Sequence, residues 1–496
     1  MKVRLFVILI VFIVFAWSAQ RWIDPDFGWH YRLGQIITTI GIPKTDPFSF
    51  TMPSYPFVDY EWFTNVLYFK TYELLGYQWL VTLHALAAIT APLLALSATK
   101  IKSKYLLIPL FLVLASFAGR FGVRPQVFSW LFMGLFIKIF YDEHNWNKLK
   151  WFFPPLMLVW ANLHGSYPLA IGLAAILIIL KSIKLKKIIH SDYLVLLAGI
   201  GATLINPYGI RNWHEVLNQM KLTGLYRQSV AEWQPALFTF DMGFFALFAF
   251  TLVLAWVNKK KVELWEVVLL VGGFLAGISS GRHAPLSVLL FSPLFIKYSF
   301  LLEQKIKKVP HGAKRLESFY TILAALVLIT FVLQVWATNR TLSQFRETDF
   351  YPQKTVEFLR NYSKEPKRVF ADYSIGGYLI WKLPNNKYFM DGRMPGFVYN
   401  EAPKGESNNA YLEYLAIMCG QASLSQGLDK YEVDLVIASK STNSSVGNSL
   451  HQNVKELFFN AGLLYCKDNI SILDEIKKLN WKQIYEDDKN TIFEST

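Results

Sequence analysis

The stretch Asp24-Pro25-Asp26-Phe27-Gly28-Trp29-His30 brings two carboxylates and an imidazole together directly after an apolar run. It continues through Gly34, Gly41-Ile42-Pro43 and Asp46-Pro47-Phe48-Ser49 to Asp59-Tyr60-Glu61-Trp62. Carboxylates interleaved with Trp29, Phe48, Phe57 and Trp62 beside an apolar surface are costly to ionise unless paired or metal-bound. They are therefore candidates for a general base or a divalent-cation site. A helix starting at Asp26 would carry His30 one turn along on the same face. Asp24 could instead cap that helix, leaving the other acids as solvated loop residues. The cluster as a whole favours chemistry.

Cations recur at the ends of other apolar runs. Arg120 and Arg124 flank Phe121-Gly122-Val123, and Arg282-His283 follows a later run. Asn162, His164-Gly165 and Asn206-Pro207-Tyr208-Gly209 close two more. Arginine at an interface can snorkel to lipid phosphate, but its fork is also the better bidentate phosphate ligand. Acids with Arg and His on one face suit a reaction in which phosphate leaves. A carboxylate takes a proton from the acceptor while Arg120, Arg124, Arg282 and His283 receive the developing charge. His164 reads as structural. Residues 206–242 add Trp213, Tyr226 and Glu232-Trp233-Gln234-Pro235, whose rings could stack on a sugar or sit in an interfacial belt.

The elements that must position these groups are membrane spans. A chain of 496 residues with 53% hydrophobic and only 17% charged residues is unlike a soluble globular protein. Its apolar residues fall in runs that could cross a hydrocarbon core about 30 Å thick. The predicted spans are 5–20, 78–98, 105–118, 126–141, 151–163, 167–180, 193–205, 243–257, 264–280, 285–297 and 318–338. The first resembles a signal peptide, but no small-residue cleavage site follows it, so it reads as a retained anchor. Loops on the side of residues 1–4 hold 20 Lys and Arg, whereas the longer loops opposite hold 9, which makes the first side cytoplasmic. The net charge of +14 is thus parcelled into inner loops, and nucleic-acid binding is not its meaning. Span interiors look almost free of charge, Lys138 excepted.

With the N-terminus inside and eleven spans, the chain beyond Val335 lies outside. That tail alternates an amphipathic run, Thr355–Tyr362, with strand-like Arg368–Ala371, Tyr388–Met390 and Leu435-Val436-Ile437. A closing pair surrounds Ile484 and Ile492. This predicts a small α/β domain with a mostly parallel sheet. The expected fold is a polytopic α-helical membrane protein of about 11 transmembrane helices with a C-terminal extracytoplasmic α/β domain. The boundary falls between 1–340, which includes the outer loop 24–60, and 341–496. Residues 439–449 read as a flexible loop. Cys419 and Cys466 are the only cysteines, too few to define a redox compartment.

A short first span, an outer loop opening on an acidic pair, many further spans and an outer C-terminal domain together resemble the GT-C superfamily of membrane glycosyltransferases. Asp24 to His30, with Gly41-Ile42-Pro43 and Asp46-Pro47-Phe48-Ser49, looks like bacterial members of that group. It also resembles the Asp-Pro-x-Phe opening of oligosaccharyltransferase catalytic subunits. Phe370-Ala371-Asp372-Tyr373-Ser374-Ile375-Gly376-Gly377-Tyr378, followed by Phe389-Met390-Asp391-Gly392-Arg393, is similar to their Trp-Trp-Asp-Tyr-Gly region. Both tryptophans of that region are absent here.

The resemblance implies sugar transfer from a polyprenyl-phosphate carrier to a glycan, lipid or protein acceptor on the non-cytoplasmic face. Asp24 would be the catalytic acidic residue, with Asp26 its helper or a metal ligand. Asp24, Asp26 and His30 are the expected ligands of a divalent cation, Mg²⁺ or Mn²⁺. His30, Glu61, Trp233, Asp372 and Tyr373 are the expected acceptor or sugar contacts. A transporter or flippase, and a non-catalytic envelope assembly protein, are the alternatives. Transporters bury ionisable groups near the bilayer midplane.

Overall fold

A computed structural model of the protein describes residues 10–16, 23–99, 101, 106–237, 241–342, 350–440, 459, 462, 465–466 and 469–496. Residues 10–16 are helical, and the rest of the predicted first span lies outside the described residues, as does 441–449 of the predicted loop. Each of the other ten predicted spans falls on a helix. Helices Tyr77–Ser97, Tyr167–Leu185, Gly281–Ile306 and Lys314–Thr338 are long and apolar enough to cross a membrane. Leu107–Ala118, Gln126–Phe140, Met242–Val257 and Leu264–Ser279 are shorter and equally apolar.

The chain divides into two compact units. The first holds Met1–Arg21, Leu75–Val216 and Glu232–Ser343. Its centre is the helix Ala284–Ile306, buried from Ala284 to Ile296. Helices Tyr77–Ser97 and Gln126–Phe140 pack side by side because Gly134 lacks a side chain: a Cβ there would lie 2.5 Å from the Ala91 carbonyl oxygen. Such close approach at small residues is how helices associate without a hydrophobic driving force. The helix Gly312–Leu342 turns Ile322, Leu326, Ile329, Leu333 and Trp336 outward. In water that stripe would be unfavourable; against lipid it has a partner.

Helices outrun the predicted spans where lysines begin. Tyr167–Leu185 and Ala284–Ile306 continue past 180 and 297, because Lys181, Lys184 and Lys297 lower hydropathy without opposing helix formation. The expectation of charge-free spans fails at Glu266, fully buried in Leu264–Ser279. It lies at the third position of its helix, accepts from the Glu263 N–H at 2.9 Å and pairs with Lys297 at 2.6 Å.

The second unit is Trp22–Leu74, Leu217–Ala231 and Gln344–Thr496. Two segments of the expected domain 1–340, Trp22–Leu74 with the loop 24–60 and Leu217–Ala231, thus group with the C-terminal region. The sheet has the order β2 (Lys387–Tyr388), β1 (Arg368–Ala371), β3 (Leu435–Ser439), β5 (Asn490–Glu494), β4 (Lys482–Glu486). β1 is parallel to both β2 and β3. The other half corrects the mostly parallel expectation: β5 is antiparallel to β3 and β4, because the short turn after Glu486 only allows a hairpin. Loop 24–60 extends the other edge, where Ser49 bridges Tyr388 in parallel and the Tyr388 N–H donates to the Phe48 carbonyl at 3.0 Å. Cys419 and Cys466 form a disulfide in this unit.

Candidate functional site

In the second unit, the stretches 24–62 and 368–393 fold onto each other. The helix Phe27–Thr39 meets the helix Gly376–Lys382 at two glycines. A Cβ on Gly28 would stand 2.0 Å from the Gly377 carbonyl oxygen, and one on Gly377 would stand 2.1 Å from that of Pro25. Gly392 lies against Asp26 so closely that its Cβ would be 2.2 Å from Oδ1. The residues around Asp24 are thus seated on backbone where no side chain fits.

Asp24 is 3% exposed, and its Oδ1 accepts from the Asp26 N–H at 2.9 Å, which closes the turn around Pro25. The helix begins at Phe27 rather than Asp26, and Asp26 caps it through backbone only. The Asp26 side chain instead accepts from Trp29 Nε1 at 3.0 Å. His30 is buried one turn on, its Nδ1 2.6 Å from Asn65 Oδ1, while Asn65 Nδ2 donates to Asp59 Oδ2 at 2.7 Å. The network assigns the proton positions. Asn65 turns its amide to Asp59 and its oxygen to His30, so the imidazole donates from Nδ1. Burial raises the Asp59 pKa to about 6, against the opposing pull of the Asn65 amide and the Glu61 N–H. Glu61 is buried just ahead of helix Trp62–Leu75.

Beside this lies a buried ion triad that sequence reasoning missed. Arg393 donates to both oxygens of Asp391, at 2.8 and 2.6 Å, and its Nη1 is 2.8 Å from Asp46 Oδ1. Its guanidinium also stands over the rings of Phe48 and Phe57, at 4.6 and 5.2 Å. Burial would lower the Arg393 pKa, but Asp391 and Asp46 outweigh it and hold the group charged. Asp46 also accepts from the Ser49 N–H at 2.9 Å, so it is both turn residue and ion partner. Asp372 caps its own turn, accepting from the Ser374 N–H at 2.8 Å. The Tyr373 N–H donates to the Tyr414 hydroxyl at 3.1 Å.

Among the described residues no three His, Cys, Asp or Glu side chains are grouped to hold a metal. Of the trio Asp24, Asp26 and His30, Asp26 accepts from Trp29 and His30 bonds Asn65.

The arginines lie in the first unit, each opposite an acid. Arg120 pairs with Asp241 at 2.6 Å, their side chains 10% and 1% exposed. Asp241 also accepts from the Ser116 hydroxyl and caps helix Met242–Val257 through the Phe244 N–H. Arg120 is therefore committed to holding helices together. Arg124 and Arg282 share one carboxylate, Glu232, at 2.6 and 3.3 Å. Burial would raise the Glu232 pKa, but the arginines hold it below the usual carboxylate range. The Trp233 ring has the Arg282 guanidinium 5.0 Å from its centre and His283 edge-on at 6.0 Å. His164 Nδ1 lies 2.8 Å from the Ser129 hydroxyl and 3.0 Å from that of Ser166.

No family model matches the sequence, nor does any curated protein. Solved structures do match. The apo oligosaccharyltransferase of Archaeoglobus fulgidus superposes with a TM-score of 0.54 at 14% identity, over 87% of this chain and 69% of that one. AglB of the same organism, in complex with an inhibitory peptide and a dolichol-phosphate, gives 0.56 at 13%, over 88% and 70%. The chain has a GT-C fold. A third structure, tethered through a disulfide to an acceptor peptide containing the NVT sequon, gives 0.50 at 12%, over 92% and 70%. The similarity runs over most of this chain. At these identities it carries no residue roles.

Proposed function

We propose that this protein is a membrane glycosyltransferase that moves a sugar from a polyprenyl-phosphate carrier to an acceptor on the non-cytoplasmic face. The observation that carries the reading is the seating of the turn Asp24-Pro25-Asp26 on Gly377 and Gly392, within a GT-C fold. A carboxylate fixed by a backbone N–H and a rigid turn is the pre-organised group that proton abstraction needs. In the proposed step Asp24 takes the proton of the acceptor, whose freed electron pair bonds to the anomeric carbon. The bond from that carbon to the phosphate oxygen breaks, and the phosphate keeps its electrons. Arg124 and Arg282 are the proposed phosphate ligands, with His283 beside them; Arg120 is reassigned to structure. Asp26, His30 and Glu61 are proposed to shape the acceptor side. No step is routed through a metal.

The dolichol-phosphate and acceptor peptide of the solved neighbours support a lipid-linked donor and a separate acceptor for this chain. The proposed topology has the N-terminus cytoplasmic, eleven spans and the C-terminal unit outside. The disulfide supports it, since such bonds persist in oxidising compartments. The pairing of Glu266 near a helix start, away from mid-span, weighs against the transport alternative. The test is purified protein in lipid nanodiscs with a panel of radiolabelled polyprenyl-phosphate sugars, with and without Mg²⁺ or Mn²⁺. Transfer to a product, or donor hydrolysis, supports the reading; inertness to the whole panel contradicts it.

A further inference from the structure

Two cation pairings in the first unit differ in kind. The Arg120–Asp241 pair is buried and cross-bonded to Ser116 and a helix start. The side chains of the Arg124–Glu232–Arg282 group are 25%, 30% and 29% exposed, open to a solute or headgroup. Two guanidiniums share this one carboxylate, and the Glu232 contact to Arg282, at 3.3 Å, is the looser of its two.

We propose that Glu232 is a resident counter-ion, which a phosphate oxyanion replaces on Arg124 and Arg282. This rests on the reading above of the two arginines as phosphate ligands. Glu232 mimics the ligand: a carboxylate presents two acceptor oxygens to guanidinium forks, as phosphate does. The backbone can stay in place during the exchange, because the Gly281 N–H donates to the Gln234 carbonyl at 2.7 Å and ties the two loops together. Arg282 is also propped against Trp233. Rotation of the Glu232 side chain gives up its contacts to both arginines. The device keeps the forks charged, ordered and solvated as a pair until an anion of higher charge density arrives. Its ligand is a phosphate ester or phosphate ion, from a lipid headgroup or from solution.

The experiment is equilibrium binding to the full chain in zwitterionic nanodiscs. One arm titrates a polyprenyl monophosphate within the disc, and another titrates inorganic phosphate in solution. Glu232→Gln keeps the shape and an acceptor oxygen but removes the competing charge. It should tighten at least one ligand by about tenfold, the scale of one charge-assisted bond. The arm that responds identifies the source. Arg282→Gln should weaken the same ligand by a similar factor. If Glu232→Gln does not fold, Glu232→Asp, with its carboxylate one methylene back, should shift affinity in the same direction by less. Unchanged or weaker affinity in both arms would overturn the proposal. Sugar transfer by the wild type alongside such a result would leave the glycosyltransferase reading standing. Tightening without transfer would do the reverse.

Discussion

Nη1 of Arg393 lies 2.8 Å from Oδ1 of Asp46, a pairing that fastens the acidic loop to the C-terminal sheet. Asp391 grips the same guanidinium from its other side at 2.6 Å. Removing one member of a buried ion group leaves the other charges uncompensated, at a cost of about 3–5 kcal/mol. Arg393→Met and Asp46→Ala should therefore lower the thermal midpoint sharply, whereas Lys404→Ala, on an exposed loop, should leave it unchanged. Thermal unfolding in detergent checks this.

Gly377→Ala should damage the site through backbone rather than chemistry. Its new methyl would meet the Pro25 carbonyl, which belongs to the turn that holds Asp24. Overpacking of this kind costs about 1–3 kcal/mol. Activity should fall further than stability does, because the clash falls on the Asp24 turn itself. Equal retention of both in Gly377→Ala would show that the contact is slack.

Asp59 should impose a pH dependence on stability. Its folded pKa, about 6, is above that of an unfolded aspartate, so the folded state binds the proton more tightly. Its contribution is fully present below the unfolded pKa and is lost as pH rises toward and through about 6, with no further change above. In chemical denaturation, Asp59→Asn should gain on the wild type between about pH 4 and pH 6, then run parallel to it. A difference independent of pH would mean that folding does not raise the Asp59 pKa.

Much of the fold is legible in the sequence where one physical cause acts locally. The run 126–141 matches Gln126–Phe140, and 243–257 matches Met242–Val257, because an apolar stretch bounded by polar residues has few other ways to satisfy its backbone. The acidic loop and the tail strands were also visible. What stayed hidden are pairings between residues far apart: Arg120 with Asp241, Arg124 with Glu232, Asp46 with Arg393. Asp241 immediately before an apolar run was readable as a cap, and that could have hinted at its helix-end role. Nothing local marks Arg393 as the partner of Asp46, or loop 24–60 as an extra edge of a sheet built hundreds of residues later.

The acidic loop 24–60 and the C-terminal region should face the outer side of the membrane. Cysteines at Ser54 and Lys404, both exposed, should react with an impermeant thiol reagent in intact cells. Cys419 and Cys466 should resist until reduced, since they are joined. Labelling of only one introduced cysteine would break the proposed topology.

The most direct test of the account is sugar transfer by Asp24→Asn at matched protein levels. Asparagine retains the oxygen that accepts from the Asp26 N–H, so the turn and the thermal midpoint should survive. What is lost is the base, worth about 10²–10⁴-fold in rate. The account predicts a loss in that range for Asp24→Asn and a smaller one for Asp26→Asn, whose side chain is occupied by Trp29. Wild-type turnover in Asp24→Asn, with Asp26→Asn or Glu61→Gln inactive, would move the base elsewhere; full turnover in all three would contradict the account.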